Sequence, residues 1–364
     1  MDAEAEIRKI QDEIKRTQYN KATEHHIGLL KAKIARLKVA AASKRKAGSG
    51  KGFAVRKEGD ATAVMVGYPS VGKSTLLNKL TEAKSRVAAY EFTTTETIPG
   101  VLEYGGAKIQ LLDVPGLITG AAEGKGRGRE VISAVRSADL ILILADVTAT
   151  DTIVRMINEL EAAGIRLDKR PSQVSIEKMK SGGLSISGKS GIPEETLKEI
   201  FKTFGILNAN VIFKESLTVD SLIDFLSRNC VYAPSLIVLN KMDRMDRKQA
   251  EAIREGVKTA YGKGTILISA EHDINLEELR KRIYEKMKFI QVFTRRKEAK
   301  EIPKEPIILK EGATIRDVCN KIHRDMYKEF KYALVTGRST KFPNQRVGLD
   351  HIVKEGDVVR IVSR

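Results

Sequence analysis

An α/β fold with appended modules at both ends is the architecture predicted for this 364-residue chain, on three observations. Strand-like apolar runs alternate with helical stretches through the middle, as in a parallel sheet covered on both faces. A glycine-rich loop, GYPSVGKS from Gly67 to Ser74, stands between the apolar run Ala63 to Val66 and the helical run Leu76 to Leu80. The charge of +17 is unevenly spread: residues 1–57 carry 15 basic and 6 acidic residues, and residues 289–364 carry 17 and 10. Residues 58–288 are close to neutral, with 32 basic and 31 acidic.

The first element is a helical hairpin with its linker, 1–57. Ile7, Ile10 and Ile14 fall on one helical face, and Ile27, Leu30, Ile34 and Leu37 repeat at three and four residues. Asn20 to Thr23 supplies the break, with Thr23 as an N-cap. Lys31, Lys33, Arg36, Lys38, Lys44, Arg45 and Lys46 form an outward basic side, while adjacent His25 and His26 point apart and read as surface residues. Ala47 to Asp60 reads as a linker.

Next comes the glycine-rich loop. Gly67 and Gly72 allow a tight turn that aims backbone N–H groups and a helix start at phosphate oxygens. Lys73 would reach the outer two phosphates and the Ser74 hydroxyl would bind Mg²⁺. Two further segments suit sensing of a third phosphate. Asp113, in DVPG after the strand Lys108 to Leu112, would hold Mg²⁺, and the Gly116 N–H would reach a phosphate oxygen. One threonine of Thr93 to Thr95 would close over the metal, all three being eligible. Both loops would lose their anchors when the terminal phosphate leaves.

The base is read by NKMD, Asn240 to Asp243, after the strand Ser235 to Leu239. The Asp243 carboxylate can accept two hydrogen bonds that guanine offers and adenine does not, and an unpaired buried acceptor rejects the wrong base by a factor on the order of 10⁴. Asn240 would hold the purine's other edge, and Lys241 would cover it and tie back to the phosphate loop. Ser269 and Ala270, after the run Thr265 to Ile268, would offer a backbone N–H to the guanine carbonyl. In order and chemistry the five segments point to a GTP/GDP switch.

The residue after DVPG is Leu117, where many signalling GTPases place a glutamine that orients the attacking water. Hydrolysis is therefore expected to be slow unless a partner, a monovalent cation, or Arg127 or Arg129 supplies the missing group. A charged loop residue is exposed by default, which favours a solvated role for the two arginines.

Asp113 and Asn240 lie 127 positions apart, more than the intervening strand Leu140 to Ala145 and helix Thr152 to Ala163 fill. An α+β insert over 166–230 takes up the rest, with strands at Gln173 to Met179, Gly183 to Ser187 and Ala209 to Phe213, and helices at Pro193 to Phe204 and Val219 to Arg228. It carries no catalytic constellation and reads as a partner surface. The nucleotide-binding domain thus comprises 58–165 and 231–290, followed by a module over 303–364.

Composition excludes other classes. The two cysteines, Cys230 and Cys319, have no metal-like spacing and suit a reducing compartment. Apolar runs such as Leu140 to Ala145 are far short of the roughly 20 residues of a membrane span, so no membrane association is expected. No leading apolar segment reads as a secretion signal, and a cytosolic location is expected. Basic charge confined to two appendages suggests that they hold an anionic partner, a nucleic acid such as structured RNA or a ribonucleoprotein, while the body switches.

Gly67 to Thr75, YEFTTTETIPG over Tyr90 to Gly100 and DVPGLITGAAEGKGRG over Asp113 to Gly128 resemble the Obg-related GTPases. Within that branch the chain is similar to the developmentally regulated GTP-binding protein family, in its archaeal form. The resemblance extends to a C-terminal TGS domain, a β-grasp module, through Pro306 to His323, Lys331 to Gly337 and Val347 to Ser363. The residue pattern places a strand at Ile307 to Leu309 and a helix at Thr314 to His323, followed by short strands separated by Gly337, Gly348 and Gly356. The resemblance implies a P-loop GTPase with the phosphates against Gly67, Ser70, Val71, Gly72, Lys73, Ser74 and Thr75. It also implies that Thr94 is the switch ligand to Mg²⁺, with Lys73, Thr94 and Gly116 at the reacting phosphate. It further implies action in translation, on or near ribosomes; a ribosome-assembly role shares every motif. Relatives with an apolar residue at the Leu117 position often use K⁺ in place of the missing group, and those carry asparagine where this chain has Ser70. Eukaryotic relatives have a dedicated stabilising partner protein.

Overall fold

The computed structural model describes residues 3–18, 20, 23–46, 59–81, 98–114, 128–262, 264–295, 305–323 and 325–363. In chain order, α1 (Ala3–Arg16) and α2 (Glu24–Lys46) precede β1 (Ala61–Val66), α3 (Lys73–Leu80), β2 (Ile98–Tyr104) and β3 (Ala107–Asp113). Then come α4 (Gly128–Ser137), β4 (Leu140–Asp146) and α5 (Asp151–Ala162). The insert supplies β5 (Ile165–Leu167), β6 (Val174–Lys178), β7 (Leu184–Gly188), α6 (Glu194–Thr203), β8 (Ala209–Phe213), α7 (Val219–Ser227) and β9 (Val231–Ala233). The nucleotide-binding domain resumes with β10 (Ser235–Asn240), α8 (Arg247–Tyr261), β11 (Thr265–Leu267) and α9 (Leu276–Lys286). The C-terminal domain contains β12 (Phe289–Thr294), β13 (Ile307–Lys310), α10 (Ile315–Ile322), β14 (Phe330–Thr336), β15 (Gln345–Val347) and β16 (Val358–Ser363).

The chain divides into two compact units, Met1–Phe53 with Leu160–Tyr232, and Ala54–Glu159 with Ala233–Arg364. In the first, the N-terminal hairpin and the insert, read separately above as 1–57 and 166–230, share a core. Helix α2 is buried on two sides. Ile27 and Leu30 are buried as the periodicity predicts, while Ala32, with no exposed surface, joins Leu197, Phe201 and Leu222 of the insert. A Cβ at Gly28 would lie 3.1 Å from Val219, so small residues set how closely α2 approaches α7. Lys31, one of the outward basic residues named above, is paired with Asp220 at 2.8 Å. His25 meets Thr196 and Glu199 on α6, and His26 meets Glu13 on α1. Thr23 stands immediately before α2, the position expected for its N-cap, and its hydroxyl donates back to the Gln18 carbonyl at 2.6 Å. The insert itself is a three-stranded sheet, β6-β8-β7, covered on one face by α6 and α7.

The second unit is built on a six-stranded sheet of order β11-β10-β4-β1-β3-β2, parallel except for β2. Every residue of β1, β4 and β10 is buried, which explains why they read as continuous apolar runs instead of alternating ones. The β2–β3 hairpin, not foreseen above, turns at Gly105 and Gly106 with φ of 58° and 81°. Two consecutive positive φ values match the twist of the flanking strands, and two glycines adopt them without Cβ strain.

The C-terminal sheet has the order β13-β12-β16-β14-β15, with β12 and β16 parallel and the remaining pairs antiparallel. Helix α10 buries Ile315, Val318 and Cys319 in the same core as Val292, Val335 and Val359, and begins at a Thr314–Asp317 capping box. Strand β12 lies ahead of the start at 303 expected for this module, because its backbone pairs with β13 and β16. This domain meets the β2–β3 hairpin directly. Gln291 Nε2 donates to the Gly105 carbonyl at 3.0 Å, the Tyr284 ring packs at a tilt against those of Tyr104 and Phe289, and Lys321 pairs with Asp60 at 2.6 Å.

Candidate nucleotide site

Parallel strands β1, β3, β4 and β10 end on the same edge of the sheet, and the loops beyond those ends are where an open α/β sheet binds ligands. The loop after β1 crowds its neighbours. A Cβ at Gly67 would lie 2.8 Å from the Leu144 carbonyl, and one at Gly72, where φ is 93°, would collide with the Asn240 amide. Ser70 also adopts a left-handed φ of 64°. Helix α3 starts at Lys73, so its free N–H groups face the loop.

Lys73 Nζ reaches back along this loop to the Gly67 and Tyr68 carbonyls, at 3.0 and 3.1 Å. Burial pushes its ammonium below the usual lysine range, and the Asp113 carboxylate opposes that shift. The Ser74 hydroxyl donates to Asp113 Oδ2 at 2.9 Å. Asp113 Oδ1 is buried without a hydrogen-bond partner among the described residues. A buried carboxylate oxygen left unpaired costs roughly 1–3 kcal/mol or more. Beside a hydroxyl, it is a donor set that fits a hard divalent cation such as Mg²⁺.

The base loop is tied down more fully. Asn240 Nδ2 donates to the Val71 carbonyl at 2.9 Å, and Asn240 Oδ1 accepts from Ala270 N at 3.0 Å. Asn240 therefore braces three loops with both ends of its amide, and of the Ser269–Ala270 pair expected above to offer a backbone N–H to guanine, the Ala270 N–H takes part in that brace. Lys241, in a left-handed conformation with φ of 62°, donates to the Ser70 carbonyl at 2.7 Å. Its Nζ also pairs with Asp146 at 3.0 Å. The Asp243 carboxyl lies below the ordinary aspartate range, chiefly because the Ser269 side chain hydrogen-bonds to it, with His272 and Arg244 adding attraction against a smaller cost of burial.

Asp146 was not singled out from the sequence. It is opposite Asn240 in the β4–β10 register and binds the amide and hydroxyl of Thr148 at 3.0 and 2.8 Å. Burial would raise its pKa, but the Thr148 hydrogen bonds and Lys241 together hold it lower. A carboxylate closing an apolar parallel strand is the signal that could have found it.

Thr93, Thr94, Thr95, Gly116, Leu117 and Arg127 lie outside the described residues, and Arg129 is described only as backbone in α4. The structure therefore brings together the phosphate-loop, Asp113 and base-loop residues and leaves the two switch segments undescribed. Among the described residues no group of three or more His, Cys, Asp or Glu could hold a metal, and no helix is long and apolar enough to cross a membrane.

Residues 62–178 match the family model described as a 50S ribosome-binding GTPase, residues 181–289 its C-terminal region, and residues 290–363 the TGS domain. The chain is 50% identical over 367 residues to an uncharacterized GTP-binding protein of Methanocaldococcus jannaschii, covering 100% of this chain and 94% of that protein. It is 42% identical over 364 residues to developmentally-regulated GTP-binding protein 2 of Homo sapiens, covering 98% of each. To developmentally-regulated GTP-binding protein 1 of Xenopus laevis it is 42% identical over 368 residues, covering 99% of each. With the phosphate loop, the base loop and a TGS domain joined in one chain, this protein belongs to the developmentally regulated GTP-binding protein family of P-loop GTPases.

Proposed function

We propose that this chain is a GTP-hydrolysing switch that docks on ribosomes or ribosomal RNA through its basic ends during translation, with nucleotide state setting the affinity. The observation that carries this is the gathering of Lys73, Ser74, Asp113, Asn240, Lys241 and Asp243 at one edge of one sheet. Lys73 would neutralise the outer phosphates and Asp243 would read the guanine edge. Ser74 and Asp113, with Thr94, would hold Mg²⁺, which when bound offsets charge on the transferring phosphoryl group. The Gly116 N–H would donate to the terminal phosphate, and loss of that phosphate would release Thr94 and Gly116 together. Strands β2 and β3 join the segments that carry these two residues, and their turn meets the TGS domain at Gly105, so the hairpin is a physical route from nucleotide to TGS domain.

Cosedimentation with ribosomes in a GTP analogue, GDP and no nucleotide, at two salt concentrations, tests this reading. Binding that depends on nucleotide and weakens with salt supports it; absence of binding in every state rejects it. Parallel sedimentation on assembly precursors separates a role in ribosome assembly. Leu117 favours a second reading, a nucleotide-stabilised scaffold with negligible hydrolysis. Single-turnover hydrolysis in K⁺ or Na⁺, with and without ribosomes, decides between them: acceleration under either condition supports the enzyme, and persistent inactivity supports the scaffold.

A further inference from the structure

Between β14 and β15 the TGS domain projects a loop, Gly337–Asn344, on which Phe342 is 59% exposed. The loop is well braced. Lys341 N donates to Gln345 Oε1 and Asn344 N to Thr336 Oγ1, both at 2.8 Å. Ser339 N donates to the fully buried Asp357 at 3.2 Å, and the Ser339 hydroxyl is bonded to His351 at 2.9 Å. A phenyl ring is thus presented to solvent on a backbone held from both sides.

The chain around it is rich in cations: between Glu329 and Asp350 the sequence has four basic residues, Lys331, Arg338, Lys341 and Arg346, and no acidic one, while the buried Asp357 carboxylate is taken up by the backbone N–H groups of Ser339 and Lys354. Among the described residues none of the four has an ion-pair partner, and the Arg346 guanidinium lies 4.3 Å from the Tyr332 ring centre. A protein hot spot sets its aromatic anchor inside a closely packed rim. Phe342 instead stands between exposed Lys341 and exposed Asn344, with Pro343 also in solvent. An accessible π-face beside unpaired cations suits an unpaired nucleobase, which stacks on the ring while its flanking phosphates meet the cations.

We propose that this loop contacts single-stranded RNA, with Phe342 stacking on an unpaired base and Arg338, Lys341 and Arg346 neutralising adjacent phosphates. This deepens the proposed ribosome or RNA docking, and rests on it for the biological setting only. The test is fluorescence anisotropy of the full chain with a labelled single-stranded RNA of about 12 nucleotides and with its duplex. Phe342→Ala should weaken single-strand binding about tenfold while Phe342→Tyr retains it, because any aromatic face can stack. Arg338→Ala and Lys341→Ala should each lower the salt slope by about one, which Phe342→Ala leaves unchanged. Unchanged thermal midpoint and GTP-analogue affinity in all four variants establish that the fold and nucleotide site are intact.

Equal binding of RNA by Phe342→Ala and the parent overturns the proposal, even where ribosome cosedimentation persists. Phe342-dependent RNA binding without cosedimentation upholds the loop and removes the ribosomal setting. A loss by Phe342→Ala on intact ribosomes but not on deproteinised ribosomal RNA assigns the loop to a protein and also overturns it.

Discussion

The base side and the phosphate side of the nucleotide site are built differently. On the base side, Asn240, Lys241 and Asp146 are linked to one another's loops by hydrogen bonds of 2.7 to 3.0 Å, with both ends of the Asn240 amide in use. On the phosphate side, among the described residues, Lys73 donates to the Gly67 and Tyr68 carbonyls and Asp113 keeps a buried oxygen without a partner. A pocket whose polar groups already satisfy one another is preorganised and discriminates by fit. One with unmet polar groups gains most when its ligand arrives, and loses most when part of that ligand departs. On the function proposed above, recognition of guanine belongs to the rigid half and switching to the half left unsatisfied.

That contrast can be broken in graded ways. The largest effect is expected from Asp243→Asn, which should erode guanine-over-adenine selectivity by up to a factor on the order of 10⁴ in competitive binding. Undiminished preference for guanine would move base recognition elsewhere. Lys73→Ala should weaken triphosphate binding by about a thousandfold by calorimetry, since it removes the cation facing buried phosphate charge. Asp113→Asn sharpens the comparison by separating ligand binding from stability. It should abolish the Mg²⁺ dependence of GTP affinity while raising the thermal midpoint of the nucleotide-free protein by about 2–4 °C, because a buried, partly unpaired charge is removed.

Asp146→Asn should weaken GTP and GDP alike by about tenfold, leaving their ratio unchanged, because it loosens Lys241 without touching the phosphate sensors. A selective loss of GTP would place Asp146 on the switching side. The smallest effect is in the pH profile. Asp243 must be ionised to accept from guanine, and its pKa is depressed, so affinity should stay level from pH 8 to about pH 5 and fall only below the ordinary aspartate range. Lys73 has a lowered pKa and must be charged, so phosphate affinity should decline on the alkaline side before an ordinary lysine titrates.

Much of this site was legible in the sequence because its requirements are local. Gly72 must take a positive φ, Lys73 and Ser74 must open a helix, and Asp113 and Asn240 must close buried strands; each condition is met within a few residues of a recognisable run. The insert's three-stranded sheet and two helices were legible for the same reason, each falling within two residues of its expected ends, whereas the short β5–β9 pair was not foreseen. Asp146 was not, because its partners Lys241 and Arg244 lie on another strand's loop. The second buried face of α2 was hidden as well, since Ala32 and Gly28 are too small to register as a stripe.

The sequence by itself determined where the glycine-rich turn, the buried parallel strands and most of the helices lie, because these follow from residue chemistry at short spacing. Tertiary structure alone decided that the N-terminal hairpin and the insert share one core, that Lys31 is bound to Asp220, and that β12 belongs to the TGS sheet. It also decided that Asn240 spends its amide on Val71 and Ala270. Each of these joins residues far apart in the chain, where register and close approach, and not local propensity, select the partner.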